Sequence, residues 1–342
     1  MNFGMWKKAL QVIPDVSKEE WDRLDVISKW LISTRAAVLI MTLISAILAG
    51  IFAWHDKKPF SLIDWLLLAI GLVFAHAANN LFNDYTDFAR GVDEDNYFRT
   101  MYGPQPIADG LMTKKQHLFY FVVTGGIALI CGIILILGNQ LDPIKILLIG
   151  LGAFFVLFYT WPLKYMALGE ISVLIVWGPL MIGGGYYVLT NSWSWNVIYA
   201  TLPYVFGVTT VIFGKHIDKI DVDKAKKIFT LPVIIGEKMG RYLLMALMIS
   251  PYLLVVALIL YKYFTPVMLL VFLAVPTLLK ILPEVNKPKP KEKPEGFQEG
   301  QGGWPLYFAP LSFINNRTFG LWFMLGLILD VCIRIFLPNF WV

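Results

Sequence analysis

Apolar residues run along this chain in long unbroken blocks, not in alternation. Blocks near the roughly 20 residues a helix needs to cross a hydrocarbon core begin close to Thr34, Leu62, His117, Pro143, Leu168, Asn196, Gly240, Thr265 and Thr318. None alternates with period two over about ten residues, which argues against a barrel. The pattern predicts an all-α membrane protein with nine transmembrane helices. Ahead of the first block, residues 1–33 lack the continuous apolar core of a cleavable signal. There Trp21, Leu24, Ile27 and Leu31 recur near helical spacing, which predicts an amphipathic helix on the membrane surface. The chain divides into that segment, spans one to eight over 34–283, a connection over 284–317, and the ninth span with the C-terminus over 318–342.

Composition agrees with the pattern: 57% of the 342 residues are hydrophobic and 15% charged, where a soluble chain carries about a quarter charged residues. The two cysteines, Cys131 and Cys332, sit inside apolar blocks and form neither a disulfide framework nor a zinc spacing. A net charge of +5 would suit nucleic acid if it were spread evenly, but it is not. With alternating spans, 24 of the 29 Lys and Arg fall on the N-terminal side and five on the other. That asymmetry assigns the N-terminal side to the cytoplasm of a cell membrane, and nucleic acid is excluded as the implied partner.

Three long connections lie on the cytoplasmic side: Asn83–Gln116, Lys215–Met239 and Lys280–Arg317. Connections of that length are commonly functional or flexible. The third begins PEVNKPKPKEKPEGFQEGQGG, a solvated linker by composition, and continues WPLYFAPLSFINNR, a segment suited to the interface. It reads as a tether between spans or as a lid over a cytoplasm-facing cavity.

The first two connections each open on acidic residues. Asn80, Asn83, Asp84 and Asp87 share one helical face at the end of the second span, and Asp218 and Asp221 repeat the Asp-x-x-Asp spacing at the end of the sixth. Each pair is followed by Pro-x-x-x-Gly, at Pro106–Gly110 and Pro232–Gly236, an echo of the kind internal duplication leaves in membrane bundles. Acidic residues at helix ends can be merely solvated or locally paired. Two clusters on one side, with an asparagine-rich approach, instead call for a compensating cation. Hard oxygen ligands suit Mg2+, which keeps waters and bridges to substrate phosphates. On charge and side alone, Arg90, Arg99 and Lys215 are phosphate-binding candidates, and Lys219 could reach a phosphate oxygen as a point charge.

Four stretches in order resemble UbiA-type intramembrane prenyltransferases, and most nearly the 1,4-dihydroxy-2-naphthoate (menaquinone) branch. They are NDYTDFARGVD, GPQPIADGLMT, FYTWPLKYMALGEISVLIVWGPLMIGGGYYV and KHIDKIDVDKAKKIFTLPVIIG. The resemblance covers roughly Thr34 to Arg241. It implies a nine-helix bundle around a central, laterally open cavity, two Mg2+ ions, and transfer of an isoprenyl group from an isoprenyl diphosphate to a small lipophilic acceptor. By position, Asn83 and Asp87 match metal positions of the first motif, and Asp93 its later acid. Tyr159 and Lys164 match the family's diphosphate contacts.

The second motif departs from the family pattern. Aligned from Thr230-Leu231-Pro232, Asp223 takes the last family acid, but Lys219 stands where the acid four residues earlier is expected, and Lys227 replaces a glycine. The expectation drawn from the echo is that Asp218 and Asp221 are the working pair, with Asp223 as the rival in the family's register. Two other functions fit the same pattern: a terpene cyclase, in which the allylic cation is captured internally, and an ion-coupled transporter. Clustering of the acids at one face, away from mid-membrane, speaks against the transporter.

Overall fold

The computed structural model describes residues 1–92, 103–138, 141–297 and 303–337. In chain order the helices are α1 Phe3–Gln11, α2 Lys18–Arg23, α3 Val26–Ser33, α4 Ala36–His55, α5 Leu62–Ala89, α6 Lys114–Leu137 and α7 Pro143–Phe158. They continue as α8 Gly169–Thr190, α9 Trp195–Asp218, α10 Ile220–Ala225, α11 Leu231–Leu260, α12 Pro266–Asn286 and α13 Phe308–Phe336. Among the described residues there is no strand; Met166 and Phe229 form an isolated parallel bridge.

Eight of these helices are long and apolar enough to cross a membrane. The ninth expected span, α7, has 16 residues, a rise of about 24 Å against a hydrocarbon core of about 30 Å. Two other boundaries move outward from the expectation. Helix α11 starts at Leu231, not near Gly240, and α13 starts at Phe308, not near Thr318. Both carry a proline in the first turn, Pro232 and Pro310, where the missing N–H has no intrahelical partner to lose. In α11 the positive-φ backbone of Gly236 (φ +80°) then kinks the helix, and the charged Glu237 and Lys238 break the apolar run, so hydropathy registers it only from Gly240 onward. Most of WPLYFAPLSFINNR is therefore helix, with Asn315 and Asn316 buried in it.

The chain forms two compact units, Met1–Ile47 with Leu62–Leu163, and Leu48–Ser61 with Lys164–Val342. In the first, the N-terminal segment is three short helices, not one. Ser17 and Glu20 form a reciprocal capping box at α2, and Asp25 caps α3 through the Ser28 N–H, 2.8 Å. These caps turn Trp21, Leu24 and Leu31 into a core with Ala36, Ala77, Leu111 and Met112, and leave Ile27 exposed. Side-chain bonds to carbonyls of neighbouring helices then hold α5: Asn79 Nδ2 donates to Val156 O (2.9 Å) and Asn80 Nδ2 to Thr34 O (2.8 Å). His117 Nε2 lies 2.8 Å from Leu81 O. Polar side chains in lipid need such internal partners, so this asparagine-rich approach has a packing role of its own.

In the second unit, small residues bring helices together. A Cβ on Gly214 of α9 would meet the Phe308 carbonyl at 2.7 Å, and one on Gly183 of α8 would run into Ile198 Cδ1. These glycines allow close backbone approach between helices. At the opposite end of α9 from Asp218, a buried network ties four elements. His55 reaches Asp56 (2.8 Å) and Asp330 (3.2 Å), Tyr186 and Tyr263 donate to Asp56 (3.0 Å each), and Arg334 donates to Asp330 (3.1 Å).

Candidate active site

The first acidic cluster lies in the last turns of α5. Asp84 and Asp87 are one helical turn apart on one face and both buried, with 2% and 0% exposure; Asn80 is buried beside them and Asn83 half-buried. Arg35, just ahead of α4 and in a left-handed backbone conformation (φ +53°), forms an ion pair with Asp84. The same guanidinium donates to Gln105 Oε1 at 3.3 Å. Gln105 N–H in turn donates to Asp109 at 2.6 Å, and burial pushes the Asp109 carboxyl above its usual value. Arg35 thus joins NDYTD to the GPQPIADG turn. No sequence motif pointed to it; its position just ahead of the first apolar span was the one available signal.

Arg90 is exposed, with its guanidinium carbon 4.5 Å from the Trp161 ring centroid. Tyr159 is half-buried at the C-terminal cap of α7. Asp93 and Arg99 lie outside the described residues.

The second cluster does not repeat the first. Helix α9 ends at Asp218, Lys219 takes a non-helical backbone (φ −115°, ψ 11°), and Asp221 belongs to the separate short helix α10. Asp84 and Asp87 share one helical face, but Asp218 is buried while Asp221 is exposed.

The Asp218 carboxylate is occupied by the start of α13. It accepts from the N–H groups of Tyr307 (3.0 Å to each oxygen), Phe308 (3.1 Å) and Ala309 (2.9 Å). These are first-turn donors that α13 cannot satisfy itself. Lys289, in the connection leading into α13, adds an ammonium 3.7 Å from Asp218 Oδ1 and 3.3 Å from its carbonyl. Burial pulls that ammonium below its usual value while the Asp218 carboxylate works against the shift. Phe297 stacks on Tyr307 with ring centroids 5.2 Å apart, and the Tyr307 hydroxyl donates to Glu284 at 2.8 Å. The described part of the 284–317 connection is strapped to Asp218.

Asp223 is 1% exposed, and Lys219 Nζ lies 3.2 Å from its Oδ1. Its backbone is fixed at both ends, with Asp223 N–H donating to Lys219 O and Ile228 N–H to Asp223 O, 2.8 Å each. Lys215 is half-buried on α9, and Lys164 is buried in a short 3-10 turn ahead of α8.

The donors fit magnesium. They are hard carboxylate and amide oxygens, and the carboxylates are buried where solvation by water is lost. Among the described residues no three His, Cys, Asp or Glu side chains converge on one point, so neither cluster is a closed protein cage. Magnesium ordinarily takes one or two carboxylates and completes its shell with water and phosphate.

Several known proteins are similar to this chain. Over 224 residues, 64% of this chain, it is 25% identical to the UbiA prenyltransferase domain-containing protein 1 homolog of Drosophila melanogaster. That match spans 59% of the relative's length. It is also 25% identical over 301 residues to 1,4-dihydroxy-2-naphthoate octaprenyltransferase of Bacillus subtilis (strain 168), covering 87% of this chain and 91% of that one. The fold is similar to that of a UbiA homolog from Archaeoglobus fulgidus bound to GPP and Mg2+, with TM-score 0.54 and 15% identity over 88% of this chain and 99% of that one. The family model for UbiA prenyltransferases matches residues 42–297, and the chain belongs to that family.

Proposed function

We propose that this protein is a magnesium-dependent intramembrane prenyltransferase that moves an isoprenyl group from its diphosphate to a small aromatic, quinone-precursor-like acceptor. The carrying observation is that each acidic motif holds a buried carboxylate, Asp87 in α5 of the first unit and Asp223 in α10 of the second, in a chain of this family. The acceptor class is supported by likeness to the naphthoate octaprenyltransferase, and use of Mg2+ by the GPP- and Mg2+-bound homolog.

On this reading Asn83 and Asp87 supply first-motif ligands, with Asp84 held in place by Arg35 and Asp93 added by resemblance. Asp223 supplies the second motif in the family's register. Asp221 is an exposed carboxylate at its edge, and Asp218 is a helix cap, not a ligand. Magnesium, two ions by resemblance, neutralises the diphosphate when bound. Lys164, Tyr159, Lys215 and Lys219 are assigned to its oxygens, and Arg90 and Arg99 are further candidates on charge and sequence position alone.

The allylic C–O bond breaks with its electron pair leaving on pyrophosphate. The acceptor's electron-rich carbon forms the new C–C bond and then loses a proton. A bilayer-embedded pocket would keep water from the allylic cation, and aromatic faces can stabilise it. We assign α7 as the short ninth span, with the motif-bearing ends cytoplasmic, because 24 of 29 Lys and Arg then fall on that side. The test is release of pyrophosphate by purified protein given an isoprenyl diphosphate and acceptor. Release that requires Mg2+, stops on chelation and returns on repletion is expected. Turnover unaffected by thorough chelation overturns the reading.

A further inference from the structure

We propose that Glu170 is a positioning residue that registers the Lys164 turn against the second acidic motif. The proposal rests on the reading that Lys164 and Asp223 serve the diphosphate. Glu170 is the second residue of α8 and is 2% exposed. One of its oxygens, Oε1, does two things. It accepts from His216 Nδ1 at 2.6 Å, and His216 is itself 2% exposed on α9, between Lys215 and Asp218. It also accepts from the Leu231 N–H at 3.3 Å, the first residue of α11.

Helix α11 does not cap itself. Thr230 stands at the N-cap but its side chain makes no capping bond, and its hydroxyl is buried without a partner. Glu170 supplies the cap from another helix, where its negative charge also meets the positive end of the helix dipole. A single carboxylate therefore pins α8, α9 and α11 together around the 215–231 stretch.

Two independent features show how closely Lys164 is held to this junction. A Cβ on Gly169, the residue before Glu170, would lie 3.5 Å from Lys164 Cα and 3.9 Å from His216 Cε1. The backbone of the turn and the His216 ring at the end of α9 meet at that glycine. The parallel bridge between Met166 and Phe229 joins the turn to the segment leading into α11, two residues after Lys164 and two before Leu231. Glycine spacing and bridge bring the segments together, and the carboxylate sets their register. Fixed spacing between a phosphate-binding lysine and a motif carboxylate matters because a shift of about 1 Å in a reacting group can cost about 100-fold.

The experiment uses full-length protein in detergent with two readouts. Cysteines placed by Met166→Cys and Phe229→Cys, at exposed side chains and with Cys332→Ser, report the register by their rate of disulfide formation. Steady-state kinetics report KM for the isoprenyl diphosphate, half-saturating Mg2+, and kcat. Glu170→Gln keeps an acceptor oxygen for both donors and is expected to stay within about threefold of the parent in both readouts. Glu170→Ala is expected to slow crosslinking about fivefold and to raise KM and half-saturating Mg2+ about tenfold, with a smaller fall in kcat. If Glu170→Ala does not insert, His216→Ala, which removes one of the two links, is read for the same direction of change. Crosslinking and KM both unchanged in the alanine variants overturn the proposal, and so does slowed crosslinking with unchanged KM. A parent protein that turns over no isoprenyl diphosphate strikes the functional reading instead, and crosslinking then still decides whether Glu170 sets the register.

Discussion

Replacing Asp218 separates a helix cap from a metal ligand. In the structure its two oxygens receive three backbone N–H groups at the start of α13, and Lys289 sits 3.7 Å away. Hydrogen bonds to a charged group contribute about 1.5–3 kcal/mol each, although three bonds to one carboxylate are not additive. Removing an ordinary cap costs about 0.5–2 kcal/mol, and breaking a buried ion pair about 3–5 kcal/mol. Asp218→Ala should therefore destabilise the protein by about 3–5 kcal/mol. At about 2–4 °C per kcal/mol for a large domain, Tm should fall by roughly 10 °C. Asp218→Asn keeps one acceptor oxygen and should lose about half as much. The assay is thermal unfolding in detergent alongside kcat per folded molecule at a temperature where each variant is folded. Both Asp218 variants should keep kcat within about fivefold of the parent, whereas Asp223→Asn should lose about 100-fold or more. Asp218→Asn with an unchanged Tm and a 100-fold loss of kcat would refute the reasoning and restore the Asp218–Asp221 pair as the working set.

Two further outcomes follow from the same geometry. Arg35→Ala leaves the Asp84 carboxylate buried without its guanidinium and should cost about 3–5 kcal/mol in stability; Arg35→Lys should recover part of this, and equal Tm for Arg35→Ala and the parent would contradict it. Topology is tested with Lys291→Cys in a Cys332→Ser background: a membrane-impermeant thiol reagent should label it in inverted vesicles and not in intact cells, and labelling from outside the cell would place the motif side wrongly.

Eight of the nine expected spans were legible because a helix of about 20 consecutive apolar residues matches the hydrocarbon core in both length and chemistry. Their edges were less so. Asn315, Asn316 and Arg317 looked like a connection, yet two of them are buried inside α13, where interhelical packing overrides local polarity. Amphipathic spacing in the N-terminal segment found Trp21, Leu24 and Leu31, but it missed that caps at Ser17 and Asp25 cut the segment into short helices. In the second motif the Asp-x-x-Asp echo assumed one continuous helix, and Lys219 breaks it. The groups that occupy Asp218 stand at Tyr307, Phe308 and Ala309, and no local spacing announces a cap supplied from that far along the chain. Glu170 lies within one of the four family-like stretches, but its two partners, His216 and Leu231, could be seen only in the fold.

The central claim is transfer of an isoprenyl group to an acceptor, and the products decide it. Purified protein would be incubated with isotopically labelled isoprenyl diphosphates of several chain lengths, Mg2+ and a panel of small aromatic acceptors, and the lipid extract read by mass spectrometry. The account predicts a product whose mass is the acceptor plus the labelled isoprenyl group less one hydrogen, with one pyrophosphate released per product. A labelled cyclic hydrocarbon formed equally well without any acceptor would contradict it.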